Sequence, residues 1–255
     1  MKIQTKQTNR LLVLITSLGF AALGSGVANA NLLVNGNLDV TYQQEIVPSF
    51  FLPKPASWVN EGSRTTSGPY EDEMSSEPWS GPAPTPVTTD GINSDDWGVF
   101  FKPFTGNFGT GDLATGRLYQ DVAATPGLTY QLTGWAGAES GYSGLIPSTV
   151  TKSEFRLTFF DAGSTPIGSF FLDLAGAGLG IANGQPFNYK QYTLSGLAPA
   201  GTATVRAEVA MIDAYNNSGG QAFVVDDFVL AVPEPTTFAL IGLGFAGLAI
   251  MRRRS

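Results

Sequence analysis

The sequence has no cysteine and no histidine. The first absence excludes disulfides and thiol chemistry. The second removes the commonest general base and zinc ligand, which excludes a Ser-His-Asp hydrolase and nearly excludes a zinc hydrolase. Positive charge is scarce. Residues 31–232 contain only Lys54, Lys102, Lys152, Lys190, Arg64, Arg117, Arg156 and Arg206, eight cations against twenty carboxylates, a net of −12. Phosphates would find no basic face, which argues against nucleic acid as a partner. Amphipathic helical patterns are absent from the same stretch, and so is any fixed-period repeat.

The other six cations mark the two ends of the chain. Lys2, Lys6 and Arg10 precede an apolar run over residues 11–20, and small residues Ala28 and Ala30 occupy the −3 and −1 positions of a cleavage site. This is a secretory signal peptide over residues 1–30, cut after Ala30. At the other end, Pro233, Glu234 and Pro235 form a rigid non-helical stop. Residues 238–251 follow without a charge, and Arg252, Arg253 and Arg254 come just before the C-terminus. The apolar run is short for a membrane span, but the arginine stems can snorkel and extend it, and they belong on the cytoplasmic side. No polar side lines this segment as it would a soluble helix.

The order of these parts (Val-Pro-Glu-Pro, apolar glycine-rich helix, arginine cluster) resembles the PEP-CTERM sorting signal. The resemblance covers about 24 residues, 233–255 and the valine before them. It implies an exported substrate of an exosortase, a membrane-embedded cysteine peptidase of Gram-negative bacteria, with cleavage near Pro233, Glu234 and Pro235. The protein would be anchored in the inner membrane before processing and released to the cell envelope or the extracellular matrix afterwards.

What remains, residues 31–232, is about 200 residues, one domain large enough for a real core. It opens with NLLVNGNLDV at residues 31–40, which reads as a first strand with an Asn-Gly turn or bulge. Residues 42–89 are dense in Pro, Ser, Thr and Gly and read as an irregular surface insertion, with a short strand at Trp58 and Val59. Strand patterns then recur over residues 97–102, 114–122, 128–136, 154–160, 169–174, 189–194, 202–211 and 222–230. Alternation puts Leu128, Tyr130, Leu132 and Gly134 on one side of their strand. It also groups Phe155 with Leu157 and Phe159, and Ala203 with Val205, Ala207 and Val209. The predicted fold class is all-β, a β-sandwich. The pieces NLLVNGNLD, RLYQDVAATPGLTYQLTGWA, APAGTATVRAEVAM and FVVDDFVL, in that order, are similar to the galactose-binding-like jelly roll shared by carbohydrate-binding modules.

That resemblance implies two sites. One is a structural Ca²⁺ between the first and last strands, at Asp39 and Asp226 or Asp227, although the family offers a longer Glu after an aromatic where this chain has Leu38 and Asp39. The other is an aromatic platform for polysaccharide. Trp58, Trp79, Trp97, Trp135, Tyr142 and Tyr215 are the candidates, with Trp79, Trp135 and Tyr142 placed outside the predicted core faces. The adjacent carboxylates at residues 71–73, 95–96 and 226–227 do not read as a glycosidase pair, since neighbours in a strand point to opposite faces. The Asn216-Asn217-Ser218 sequon reads as a plain turn. Three roles follow: a non-enzymatic, polysaccharide-binding envelope protein; a calcium-stabilised surface protein with no ligand of its own; and, least supported, a glycoside-active enzyme.

Overall fold

The computed structural model describes residues 30–64, 74–78, 97–103, 113–146, 149–180, 189–216 and 220–233. Twelve strands run through them. They are β1 Thr41–Val47, β2 Phe50–Pro55, β3 Val59–Arg64, β4 Met74–Pro78, β5 Trp97–Phe101 and β6 Ala114–Ala123. Then come β7 Thr129–Ala138, β8 Lys152–Phe160, β9 Pro166–Asp173, β10 Lys190–Leu197, β11 Thr204–Ala214 and β12 Phe223–Ala231. Two five-stranded antiparallel sheets result. Sheet I has the order β10-β7-β12-β5-β4 and sheet II the order β3-β6-β11-β8-β9, while β1 and β2 pair as a separate hairpin that packs on β4. This is the all-β sandwich that the strand patterns predict, with the jelly-roll arrangement that the resemblance implies.

Alternation decides which side chains meet between the sheets. Phe155, Leu157 and Phe159 of β8, Val205, Ala207 and Val209 of β11, and Leu118 of β6 are buried from sheet II. Tyr130 and Leu132 of β7 and Phe223, Val225, Phe228 and Leu230 of β12 answer them from sheet I. The alternation in β12 is interrupted between Asp226 and Val229, where the pairing with β7 shifts register. Asp227 takes up the extra residue at φ 50°, a conformation that Asp tolerates better than most residues. The bulge sends Phe228 inward, where its ring lies 5.3 Å from that of Phe155 and 5.5 Å from that of Trp58.

Two expectations are corrected here. Residues 31–40 are turn and extended chain without a strand, because Asn35 and Leu38 adopt positive φ, at 53° and 61°. The segment still lies where the first strand was expected. Leu32 N donates to Leu230 O at 2.8 Å, and Phe228 N donates to Gly36 O at 2.7 Å. The stretch 42–89 is also less irregular than its composition suggests. It contributes the β1–β2 hairpin and the edge strands β3 and β4. Lys54 in that hairpin is fully buried, and its Nζ donates to the Met74 carbonyl. Among the described residues no helix is long and apolar enough to cross a membrane. The segment of residues 238–251, Ala28, Glu234, Pro235, Arg252, Arg253 and Arg254 lie outside the described residues.

Candidate functional site

The outer face of sheet I brings one predicted site residue into a suitable setting. On β7, Tyr130, Leu132, Gly134 and Ala136 point inward, which turns Gln131, Thr133 and Trp135 outward. Antiparallel pairing with β10 sets Gln191, Thr193 and Ser195 beside Trp135, Thr133 and Gln131. On the other flank, β12 sets Asp226 beside Trp135 and Val229 beside Thr133. The hydroxyls of Thr133 and Thr193 are 3.3 Å apart, and Gln131 Nε2 donates to Ser195 Oγ at 3.3 Å. Trp135 is half-buried, packed against the cluster of Phe100, Tyr189, Ala222 and Val224. An indole held in this way can stack on a sugar ring while the exposed amide and hydroxyls of Gln191, Thr193 and Ser195 bond its hydroxyls. Asp226 and Gln191 reach the indole through strand pairing, which no local pattern encodes.

Tyr142 does not share this role, and that expectation is corrected. Its ring is fully buried, stacked on Phe223 at 5.8 Å, and its hydroxyl is 2.7 Å from Ser153 Oγ. No ring face is left for a ligand. Burial also pushes the phenol well above the ordinary tyrosine value. Burial raises Tyr192 and Tyr119 too, with the hydrogen bond to Glu61 adding to the rise at Tyr119. Above pH about 10 the unfolded chain therefore releases protons that the folded chain keeps, so stability must fall as pH rises. Denaturant melts between pH 9 and 11.5 should show this fall, and Tyr142→Phe should flatten it. A Y142F chain with the unchanged slope would contradict the assignment.

The remaining aromatic candidates are distributed differently. Trp58 is a core residue whose Nε1 donates to Asn35 O at 2.9 Å. Trp97 is half-buried at the start of β5, and Tyr215 is half-buried past the end of β11. Trp79, the acidic pairs at 71–73 and 95–96, and Asn217 and Ser218 of the sequon lie outside the described residues.

The calcium candidates lie on the opening segment and on β12. Asp39 Oδ1 accepts from Trp97 N at 2.9 Å, and Asp39 Oδ2 accepts from the Asn37 amide. Asp226 is buried on the outer side of sheet I, where its Oδ1 accepts from Asp227 N at 2.7 Å. Among the described residues no group of three or more acidic side chains could hold a metal. Asn31 ties the two ends of the domain together. Its Nδ2 donates to Phe228 O at 2.8 Å, and its Oδ1 accepts from Leu230 N at 2.9 Å and Leu33 N at 3.1 Å.

The outer face of sheet II is polar in another way. Arg117, Arg156 and Arg206 all lie on it. Arg117 bonds Glu208, Arg156 Nη2 bonds Glu154 Oε2 at 2.5 Å, and Arg206 grips Asp121 with two bonds of 2.7 and 2.9 Å. The Arg206 guanidinium also covers the Tyr119 ring at 3.7 Å, and Tyr119 Oη donates to Glu61 at 2.7 Å. The cations are thus answered by carboxylates and the one central ring is capped. Among the described residues this face is one of ion pairs, with Phe171, opposite Arg156, 63% exposed at its edge.

Comparison with known proteins adds the following. Residues 231–254 match the PEP-CTERM protein-sorting motif. No curated protein sequence matches the chain. Among solved structures, the fold is similar to the enzymatically active domain of bacteriophage CBA120 tailspike protein 4, with 13% identity over 80% of this chain and a TM-score of 0.45. The match spans only 21% of the tailspike chain. It is also similar to the carbohydrate-binding module TmCBM61 in complex with β-1,4-galactotriose, with 13% identity, 80% of this chain, 99% of that one and a TM-score of 0.44. A further similar structure is a carbohydrate-binding module from Cellvibrio mixtus lichenase 5A in complex with cellotriose, with 9% identity, 69% of this chain, 98% of that one and a TM-score of 0.31. The chain carries a sorting tail for export and exosortase processing; the fold rests on its own two sheets.

Proposed function

We propose that this is an exported, non-enzymatic protein of the cell envelope or extracellular matrix that binds a neutral polysaccharide at Trp135. The observation that carries the proposal is the strip around that indole. Asp226 and Gln191 flank Trp135, and Gln131, Thr133, Thr193 and Ser195 continue from it without a charge. A domain of net −12 repels acidic glycans, so a neutral chain suits it better. Among the described residues the strip holds a single carboxylate, Asp226, where glycoside hydrolysis needs two across a cleft. Before processing, the tail of residues 238–251 holds the protein in the inner membrane with Arg252, Arg253 and Arg254 on the cytoplasmic side.

A glycan-array screen of the chain and its Trp135→Ala variant, in calcium and again in EDTA, tests this reading. The expected result is a neutral-glycan signal that weakens about 30-fold or more in the variant, the loss typical of an aromatic hot spot. Equal affinity in both chains would remove Trp135 from any site. Loss of the signal in EDTA would support calcium at Asp39 and Asp226 or Asp227. A blank array with folded protein would favour the purely structural reading.

A further inference from the structure

We infer that the end of the sandwich where β12 stops is a lipid-facing end, seated on a zwitterionic bilayer surface while the sorting tail is still attached. The inference rests on the membrane-inserted tail and is independent of the sugar reading. Three loops form this end. They cover residues 124–128, 161–165 and 198–203, and backbone bonds tie them to one another and to β8. Ala124 N donates to Ala203 O at 2.9 Å and Gly127 N to Ala198 O at 2.9 Å. Ala203 N donates to Phe160 O at 2.8 Å. Leu197 pairs with Thr129, and Leu230 and Ala231 pair with Leu132 and Gln131, so β12 leaves the sheet beside these loops.

The composition of this end is unlike the rest of the domain. The three loops are built from Ala, Thr, Pro, Gly, Ser and Leu, and of the twenty carboxylates between residues 31 and 232 they contain one, Asp161. Its Oδ1 is turned back to the N–H groups of Gly163 and Thr165, at 2.9 and 2.8 Å. Leu128 is 37% exposed and Leu197 is 57% exposed at the same end. The chain length completes the argument. Six residues separate Ala231 from Phe238, where the apolar segment begins, and the seven steps between them, at about 3.5 Å each, cannot reach beyond roughly 25 Å. An acidic domain on so short a tether must turn some surface to the lipid, and the three loops of this end set a single carboxylate against it, turned back on its own loop. The Trp135 strip then stands side-on to the bilayer, with its glycan face free.

The absence of cysteine makes the test direct, because single cysteines can carry a fluorophore without background. The full chain would be reconstituted in phosphatidylcholine vesicles with nitroxide quenchers either at the headgroup or deep in the acyl region. Labels would be placed at Leu128→Cys, Leu197→Cys, Lys152→Cys at the start of β8, and Gly244→Cys in the tail. The expected result is headgroup quenching several-fold stronger at 128 and 197 than at 152, with deep quenching at 244. Quenching at 244 with equal signals at 128, 197 and 152 would overturn the docking while leaving the tail reading intact. No quenching at 244 would overturn both. Self-quenching of the 128 and 197 labels without nitroxide lipid would assign this end to a second copy instead. Leu128, Leu197 and Lys152 lie outside the buried core, and a Leu128→Asp, Leu197→Asp double variant labelled at the exposed Ala200→Cys should lose the headgroup quenching that Ala200→Cys alone shows, while melting normally.

Discussion

Replacing Phe228 with alanine should cost about 3–5 kcal/mol, the usual penalty for deleting a buried phenyl ring, and lower the melting temperature by roughly 10 °C or more. Phe228 is 1% exposed and joins three parts of the fold. It touches Trp58 from the segment before β3, Phe155 from sheet II, and the bare backbone of Gly134 on its own sheet. A Cβ on Gly134 would lie 2.5 Å from the Phe228 ring and 3.2 Å from Phe155. Gly134→Ala should therefore be strongly destabilising on its own, by overpacking. In the Phe228→Ala background the ring is gone, so the same glycine change should cost much less. Denaturant melts of the two single variants and the double variant measure this coupling. Additive losses would mean that Phe228 does not occupy the space over Gly134.

How much of this was readable beforehand follows from where each residue sits. The central strands β6, β7, β8, β11 and β12 were readable because each buries one face, so Phe155, Leu157 and Phe159 announce a period of two. Strand β4 was not, and β3 only at its first residue, because edge strands need no apolar alternation and VNEGSR and MSSEP show none. The opening NLLVNGNLDV misled for a different reason. Its apolar spacing fits a strand, but Asn35 and Leu38 turn to positive φ and use Leu33 and Leu38 as anchors instead. At the candidate site, the outward turn of Trp135 was legible from Leu132 in the same strand. Its partners were not, since Gln191 and Asp226 reach it through pairings with distant strands, one of them close to a bulge. Tyr142 shows the opposite failure. A tyrosine in a Gly/Ser loop reads as exposed, yet Phe223 on β12 and Ser153 on β8 enclose it.

The second large effect is expected at the join between the chain's two ends. Asn31 opens the described domain, and β12 ends at Ala231, two residues before Pro233. The Asn31 side chain bonds Phe228 O and Leu230 N, and Gly36 lies so close that a Cβ there would meet both Phe228 O and Asn31 Nδ2. Gly36→Ala must then either displace the turn or break the Asn31 bonds. Asn31→Ala leaves a strand donor and a carbonyl without their partner, at about 1–3 kcal/mol together. Each substitution should loosen the last residues of β12 before the rest of the sheet, because its first residues are held by β5 and β7 independently. Amide hydrogen exchange reads this directly. Protection at Leu230 should fall about 10- to 100-fold in either variant, each tenfold being about 1.4 kcal/mol, while Val224 and Val225 keep theirs. Unchanged exchange at Leu230 would mean that β12 holds its own end. A selective fall would mean that the Asn31 side chain sets how firmly the strand is held just before the sorting motif.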